Sequence, residues 1–270
     1  MFPREFVAEV YRRMHLLNPP APGDEKLLSI DEYWARNPYL WAHVTLNYRD
    51  RLPPELDAAI LDVGCGSGHF LAACVKWGYK NLAAMDYIVH VEQFRHWGIQ
   101  EYYTVTKNLP ASLGKLKGRF DVIHAAHLIE HIPKHDLIEN VDAMFYALRP
   151  GGRLIIETPN MLSPPAMASL FVTLGHEYGF SQHNLCSLLN LCGFRDERAE
   201  AARLPVLSLK AMTGELFRNL ILLATSLKYR LFGWTGAILT QNIIVAGVRP
   251  AVDPLPDRSI DTANVDFHQR

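Results

Sequence analysis

The chain has 270 residues, long enough for one large domain, or one domain with an extension, around a sizeable core. Hydrophobic residues make up 49% of it and charged residues 20%, the balance of an ordinary globular protein. A formal net charge of −1 excludes a global field that recruits nucleic acid or acidic partners.

The N-terminal stretch MFPREFVAEVYRRM has no apolar run of the kind a secretory signal needs. Cys65, Cys74, Cys186 and Cys192 form no CxxC pair, so reduced thiols in a cytoplasmic protein are expected. Residues 1–52 read as helical pieces broken by NPPAPG and ending at LPPEL, a helical lid on the larger domain C-terminal to them. Its aromatic residues Tyr33, Trp34, Tyr39 and Trp41 either stack on a ring of a bound molecule or pack the helices onto the core.

Residues 53–250 read as one α/β domain. The apolar runs AAILDV, NLAAMD, FDVIHAA and GRLIIET alternate with helical stretches over 69–77, 90–97 and 136–147. Short buried strands separated by helices predict a doubly wound, mostly parallel sheet covered on both faces. The run QNIIVAGV at 241–248 closes that sheet at or near an edge. Before it lies a helical insertion at about 206–235. Its apolar centre, Leu220 to Thr225, is far short of the roughly 20 residues of a membrane span. Helix 214–232 either packs on the sheet or, given Arg218, Lys228 and Arg230, lies on a membrane interface. Residues 251–270 read as a flexible tail.

The chemistry concentrates in two stretches. In ILDVGCGSGHF, Gly64, Gly66 and Gly68 stand between a strand and a helix, and removal of Cβ lets a ligand touch the backbone there. The spacing GxGxG differs from the GxGxxG of dinucleotide folds. Asp62, two residues upstream, would repel an anion but not a ligand bearing an ammonium and a sulfonium. Asp86, ending the next strand, can accept both hydroxyls of a ribose. In the second stretch, HLIEHIP, the residues His127, Glu130 and His131 follow the fourth strand, with His176 further on in GHEYGF.

Together with LRPGGRLIIETPN (148–160) and GFSQHNLCSLLNLCGF (179–194), these motifs resemble the class I S-adenosylmethionine-dependent methyltransferases over roughly residues 58–200 and the last strand. The resemblance implies a seven-stranded Rossmann-like sheet and S-adenosylmethionine as cofactor. It implies that Asp62, Gly64, Cys65, Gly66 and Gly68 hold the methionine end and ribose, that Asp86 takes the ribose diol, and that Tyr87 lies against adenine. The family often has an aspartate for the adenine amine after the third strand. Here VTKNLP stands there, and Asn108 offers an amide instead. His127 and its neighbours would pass beside the methionine moiety.

A hydroxyl acceptor must also lose a proton, which calls for a base, most often histidine. His131 or His176, with Glu130 beside them, is the expected catalytic set; the bland alternative is that HLIEH merely lines a loop. Related enzymes of ubiquinone biosynthesis and of small-RNA 3′ ends carry E-x-x-E-H here, and in the latter the run helps ligate a divalent cation. With His127 in the first position, a metal held by His127, Glu130, His131 and His176 is the lesser alternative to a plain base. The expected acceptor is a small-molecule or glycan hydroxyl, as in secondary-metabolite tailoring. RNA, protein, or a non-catalytic cofactor-binding role are the alternatives.

Overall fold

The alternating runs resolve into a single seven-stranded sheet of order β3-β2-β1-β4-β5-β7-β6. The strands are β1 Ala59–Val63, β2 Asn81–Asp86, β3 Glu101–Thr104, β4 Phe120–Ala126, β5 Leu148–Pro159, β6 Arg195–Ala201 and β7 Asn242–Val248. The structure is a computed structural model that describes residues 27–105, 108–172 and 174–255. The first part of the expected lid, Lys107 of VTKNLP and most of the expected tail lie outside the described residues. Strands β1 to β5 run parallel, and β7 inserts antiparallel between β5 and β6. The run at 241–248 is therefore next to the edge, and β6 is outermost.

Ten helices are described: α1 Ile30–Arg36, α2 Pro38–Tyr48, α3 His69–Trp77, α4 Val91–His96, α5 Leu109–Leu113, α6 Leu137–Ala147, α7 Pro164–Met167, α8 Ser169–Val172, α9 Gln182–Leu191 and α10 Leu209–Leu231. Strand alternation feeds two cores. Leu61, Val63, Ala83 and Met85 face the α5–α6–α9 side, where Leu113, Val141, Phe145 and Leu189 cover them. Ile60, Leu82, Ala84 and Ile155 face the other side, beneath Trp34, Tyr48, Leu71 and Phe94. A period of two on strands buried on both faces makes every residue of ILDV apolar or partnered.

Helix α1 starts with a capping box in which Ser29 and Glu32 bond each other's backbone N–H. It carries Tyr33 and Trp34 into the second core, 8% and 4% exposed. The Trp34 ring packs on Trp41, and its Nε1–H donates to the Ala72 carbonyl at 3.4 Å. Packing therefore claims Tyr33, Trp34 and Trp41, and Tyr39 alone of the four is exposed. The described cysteines are all free thiols. Helix α10 is capped by Ser208 but none of its described side chains is buried, so it does not pack into the sheet. Among the described residues no helix is long and apolar enough to cross a membrane.

Candidate active site at the carboxyl ends of the strands

Between Val63 and His69 the chain reverses through three glycines with positive φ: +73° at Gly64, +50° at Gly66 and +82° at Gly68. All three favour glycine for backbone reasons, but their surroundings differ. A Cβ on Gly68 would overlap the Phe94 ring, and one on Gly64 would press Leu128 Cδ1 at 3.2 Å. A Cβ on Gly66 would meet no atom within 4 Å. Two glycines thus close the turn against its neighbours, and Gly66 borders open space.

Asp86 ties this turn to β2. One of its oxygens accepts the Gly66 N–H at 2.8 Å and the other the Ile88 N–H at 3.4 Å. Each oxygen keeps a lone pair, so the carboxylate is anchored yet still able to accept a diol. An adenosyl group with a free ribose diol fits this cradle. Cys65 is buried, and burial first, then the Asp62 and Asp86 charges, push its thiol far up, so it is neutral and unreactive. Tyr87 projects beyond Asp86 and is 42% exposed. The Asn108 Oδ1 caps α5 by accepting the Ala111 N–H at 2.9 Å, a bond that does not engage its amide nitrogen.

Asp62 sits deeper than the turn. The parallel register sets it directly beside His124, whose Nδ1–H donates to Asp62 Oδ1 at 2.7 Å, with both side chains almost fully buried. Its carboxylate supports the turn from beneath.

His127 follows β4 in the left-handed region, φ +52°, an uncommon place for a residue with a Cβ. Its N–H donates to the Glu157 carbonyl at 2.9 Å. The ring Nδ1–H donates to Glu130 Oε1 at 3.2 Å, and Asn242 Nδ2 lies 3.3 Å from Nε2. These contacts fix the tautomer with its proton on Nδ1. Burial opposes a charge on this ring, but the Glu130 hydrogen bond and charge, then Glu157, outweigh it and hold His127 above the ordinary histidine value. Burial likewise raises Glu130, yet His127 pulls it below the usual carboxylate range.

Ile129–His131 forms a single 3₁₀ turn. The left-handed His127 lies outside it and, although it bonds Glu130, it is not part of the group whose ligand atoms converge, which removes it from the four-ligand set expected. The other three do converge. His131 Nδ1–H donates to the Gly175 carbonyl at 2.8 Å, and its ring lies 4.7 Å from that of His176. One ligand-type atom from each of Glu130, His131 and His176 lies within 4.8 Å of the others. The Glu177 and Tyr178 N–H groups on the Glu130 carbonyl bring the two segments together. Burial is the main cause holding His131 below its ordinary value.

A polar row that no sequence motif announces crosses the sheet beside these groups. Helix α2 lays His43 and Tyr48 over the end of β5, where Glu157 is 1% exposed. The Tyr48 hydroxyl donates to Glu157 Oε2, Asn242 Nδ2 donates to Oε1 at 2.7 Å, and His43 Nε2 lies 3.5 Å from Oε1. Burial raises Glu157, but His43, His127 and Tyr48 together draw it down to about 2. The only cue in the sequence is an acid at the end of an apolar strand, in LIIETPN. His43, His127, Tyr39, Gln241 and Asn242 line a cleft of about 260 Å³, with Leu40 and Leu204 as its apolar walls.

A family model described as "Methyltransferase domain" matches residues 33–199. A ubiquinone biosynthesis O-methyltransferase of Xylella fastidiosa is 31% identical over 140 residues, covering 50% of this chain and 54% of that protein. A tRNA U34 carboxymethyltransferase of Cellvibrio japonicus is 29% identical over 170 residues, covering 51% of this chain and 50% of that one. The chain thus spans about half the length of these curated relatives. Among solved structures, a Burkholderia thailandensis 1,6-didemethyltoxoflavin-N1-methyltransferase, crystallised with its acceptor and S-adenosylhomocysteine, superposes with a TM-score of 0.56. The match covers 93% of this chain and 92% of that one at 14% identity. A methyltransferase from Archaeoglobus fulgidus gives 0.54 at 18% identity, covering 91% of this chain and 100% of that one. With the family-model match over more than half of its length and the fold shared with these structures, the chain belongs to the methyltransferase-domain family, on the fold of the class I S-adenosylmethionine-dependent enzymes.

Proposed function

We propose that the protein moves the methyl group of S-adenosylmethionine to a hydroxyl of a small ring or sugar, with His127 receiving the proton. The observation that carries this reading is the cleft wall itself. His127 lines the cleft with Glu130 on Nδ1 and the cleft-lining Asn242 amide 3.3 Å from Nε2, so an acceptor hydroxyl that takes the place of that amide would meet an oriented general base. His131 and His176 do not line that cleft, so they are less suited to the role. Gly66 and Asp86 seat the cofactor, whose sulfonium supplies an activated methyl with its leaving group already in place. The chain's own work is to align the acceptor and take its proton. A volume of about 260 Å³ suits a single ring or sugar rather than a polymer. Tyr39 and Leu40 offer faces for that ring, and Gln241 and Asn242 offer polar contacts.

Calorimetry should detect S-adenosylmethionine binding that Asp86→Ala weakens at least about tenfold, the loss of charge-assisted hydrogen bonds. A labelled-methyl screen against sugars, phenols and RNA then tests the acceptor. Transfer to RNA alone, or binding of NAD without S-adenosylmethionine, would overturn the reading.

A second reading rests on the convergence of Glu130, His131 and His176: a divalent cation held there would grip the acceptor oxygens and acidify the attacking hydroxyl. Two imidazoles and a carboxylate suit a transition metal better than Mg²⁺. Loss of turnover in EDTA, restored by one metal, supports it; unchanged turnover in EDTA discards it.

A further inference from the structure

Helix α10 is amphipathic with its faces reversed. The positions half-covered by the rest of the protein include Glu215, Arg218, Thr225 and Tyr229. The apolar stripe points outward: Met212, Leu216, Leu220, Leu223, Leu227 and Leu231, spaced by three and four, are 53% to 86% exposed. Phe217 and Ile221 widen the stripe at 67% and 65% exposure. At 3.6 residues per turn Arg230 falls on one margin, and Lys210 and Lys228 on the other. The helix carries four cations, Lys210, Arg218, Lys228 and Arg230, against one acid, Glu215, which is paired with Arg218. This happens in a chain whose net charge is −1.

The patch continues past the helix. Phe232 and Trp234 follow it, 73% and 49% exposed. The Tyr229 hydroxyl donates to the Leu162 carbonyl at 3.2 Å, tying the polar face of the helix to the segment after β5. A contiguous apolar face of this kind marks an interaction surface.

We propose that α10 lies in the plane of an anionic lipid bilayer, its leucine stripe in the acyl boundary and Lys210, Lys228 and Arg230 reaching out to acidic headgroups. Charge selects this occupant. Two copies of the same face would set these three cations against themselves, whereas acidic lipid neutralises them. Basic residues along both margins of an apolar stripe, with an aromatic ring past its end, are the layout of an interfacial helix. Lipid binding by α10 is independent of the proposed acceptor.

Full-length protein should sediment with vesicles of phosphatidylcholine and phosphatidylglycerol, weakly with phosphatidylcholine alone, and less at high salt. Lys228→Ala and Arg230→Ala should each weaken partitioning about fivefold. Leu220→Glu with Leu227→Glu should abolish it, with circular dichroism and S-adenosylmethionine affinity unchanged. Three results overturn the proposal: no sedimentation with the anionic vesicles, wild-type sedimentation of the double glutamate variant, or a dimer in lipid-free solution that this variant dissociates.

Discussion

At the scale of single residues, His127 concentrates three unusual features: a left-handed backbone, a buried carboxylate on one ring nitrogen, and a cleft-lining amide, Asn242, on the other. A non-glycine residue held there costs of order 1 kcal/mol, which the Glu157 and Glu130 contacts offset. We expect His127→Asn to lower turnover by on the order of 10²–10⁴ while S-adenosylmethionine affinity stays within about twofold. The acid limb of the wild-type pH–rate profile should lie above the ordinary histidine value, because His127 is raised. A variant with wild-type turnover would remove it as the base. Glu157 governs stability instead. Its depressed pKa of about 2 gives stability that is present above the unfolded carboxylate value and fades as pH falls toward 2. Glu130 acts in the same direction. His127 contributes below its unfolded value and loses that contribution as pH rises through its folded one. His131, held below its ordinary value mainly by burial, runs the other way and loses its contribution as pH falls below the unfolded histidine value. The carboxylates set the trend, so urea midpoints should fall as pH drops below about 4.5. Glu157→Ala should cost about 3 kcal/mol, as breaking a buried pair does. His127 was legible because it stands in a motif. His43 and Tyr48 were not, since helix packing brings them to Glu157 from more than a hundred positions away.

At the scale of elements, the glycine turn divides its labour, and paired variants can read the division. Gly68→Ala forces both φ +82° and a clash with Phe94, so it should destabilise the fold by more than about 2 kcal/mol. Gly66→Ala incurs only the backbone strain, about 1 kcal/mol, and should fold while losing cofactor affinity. Thermal melts and calorimetry on the two variants separate these effects; unchanged cofactor affinity in Gly66→Ala would show that Gly66 does not border the ligand. The spacing announced a turn, but not which glycine faces a ligand, because that depends on where Phe94 of α4 and Leu128 beyond β4 come to rest. The HLIEH run shows the same limit. The i, i+3, i+4 spacing of His127, Glu130 and His131 would align these three side chains on a helix, and the structure makes only a 3₁₀ turn with His127 outside it.

At the scale of the whole molecule, α1 and α2 complete one of the two cores, and α2 also walls the cleft. Tyr33, Trp34, Val44, Tyr48 and Leu52 are all buried there. Their burial contributes on the order of 10 kcal/mol, comparable with the stability of an entire domain. A chain starting at residue 53 should therefore fail to give a cooperative melt by calorimetry, and a cooperative one would show these helices to be dispensable. The alternation of apolar runs and helices by itself determined a parallel doubly wound sheet, since strands buried on both faces must be apolar throughout and need helices to cover them. It also determined the strand-to-helix glycine turn and the acid closing β2, because both are local in sequence and placed by neighbouring strands. The polar cleft beside Glu157 and the placement of α10 were decided only by tertiary structure. There Glu157 meets His43, His127 and Asn242 from four separate segments, and a helix with an apolar stripe turns that stripe outward. Local periodicity fixes which residues share a face, but packing against distant segments fixes what that face meets.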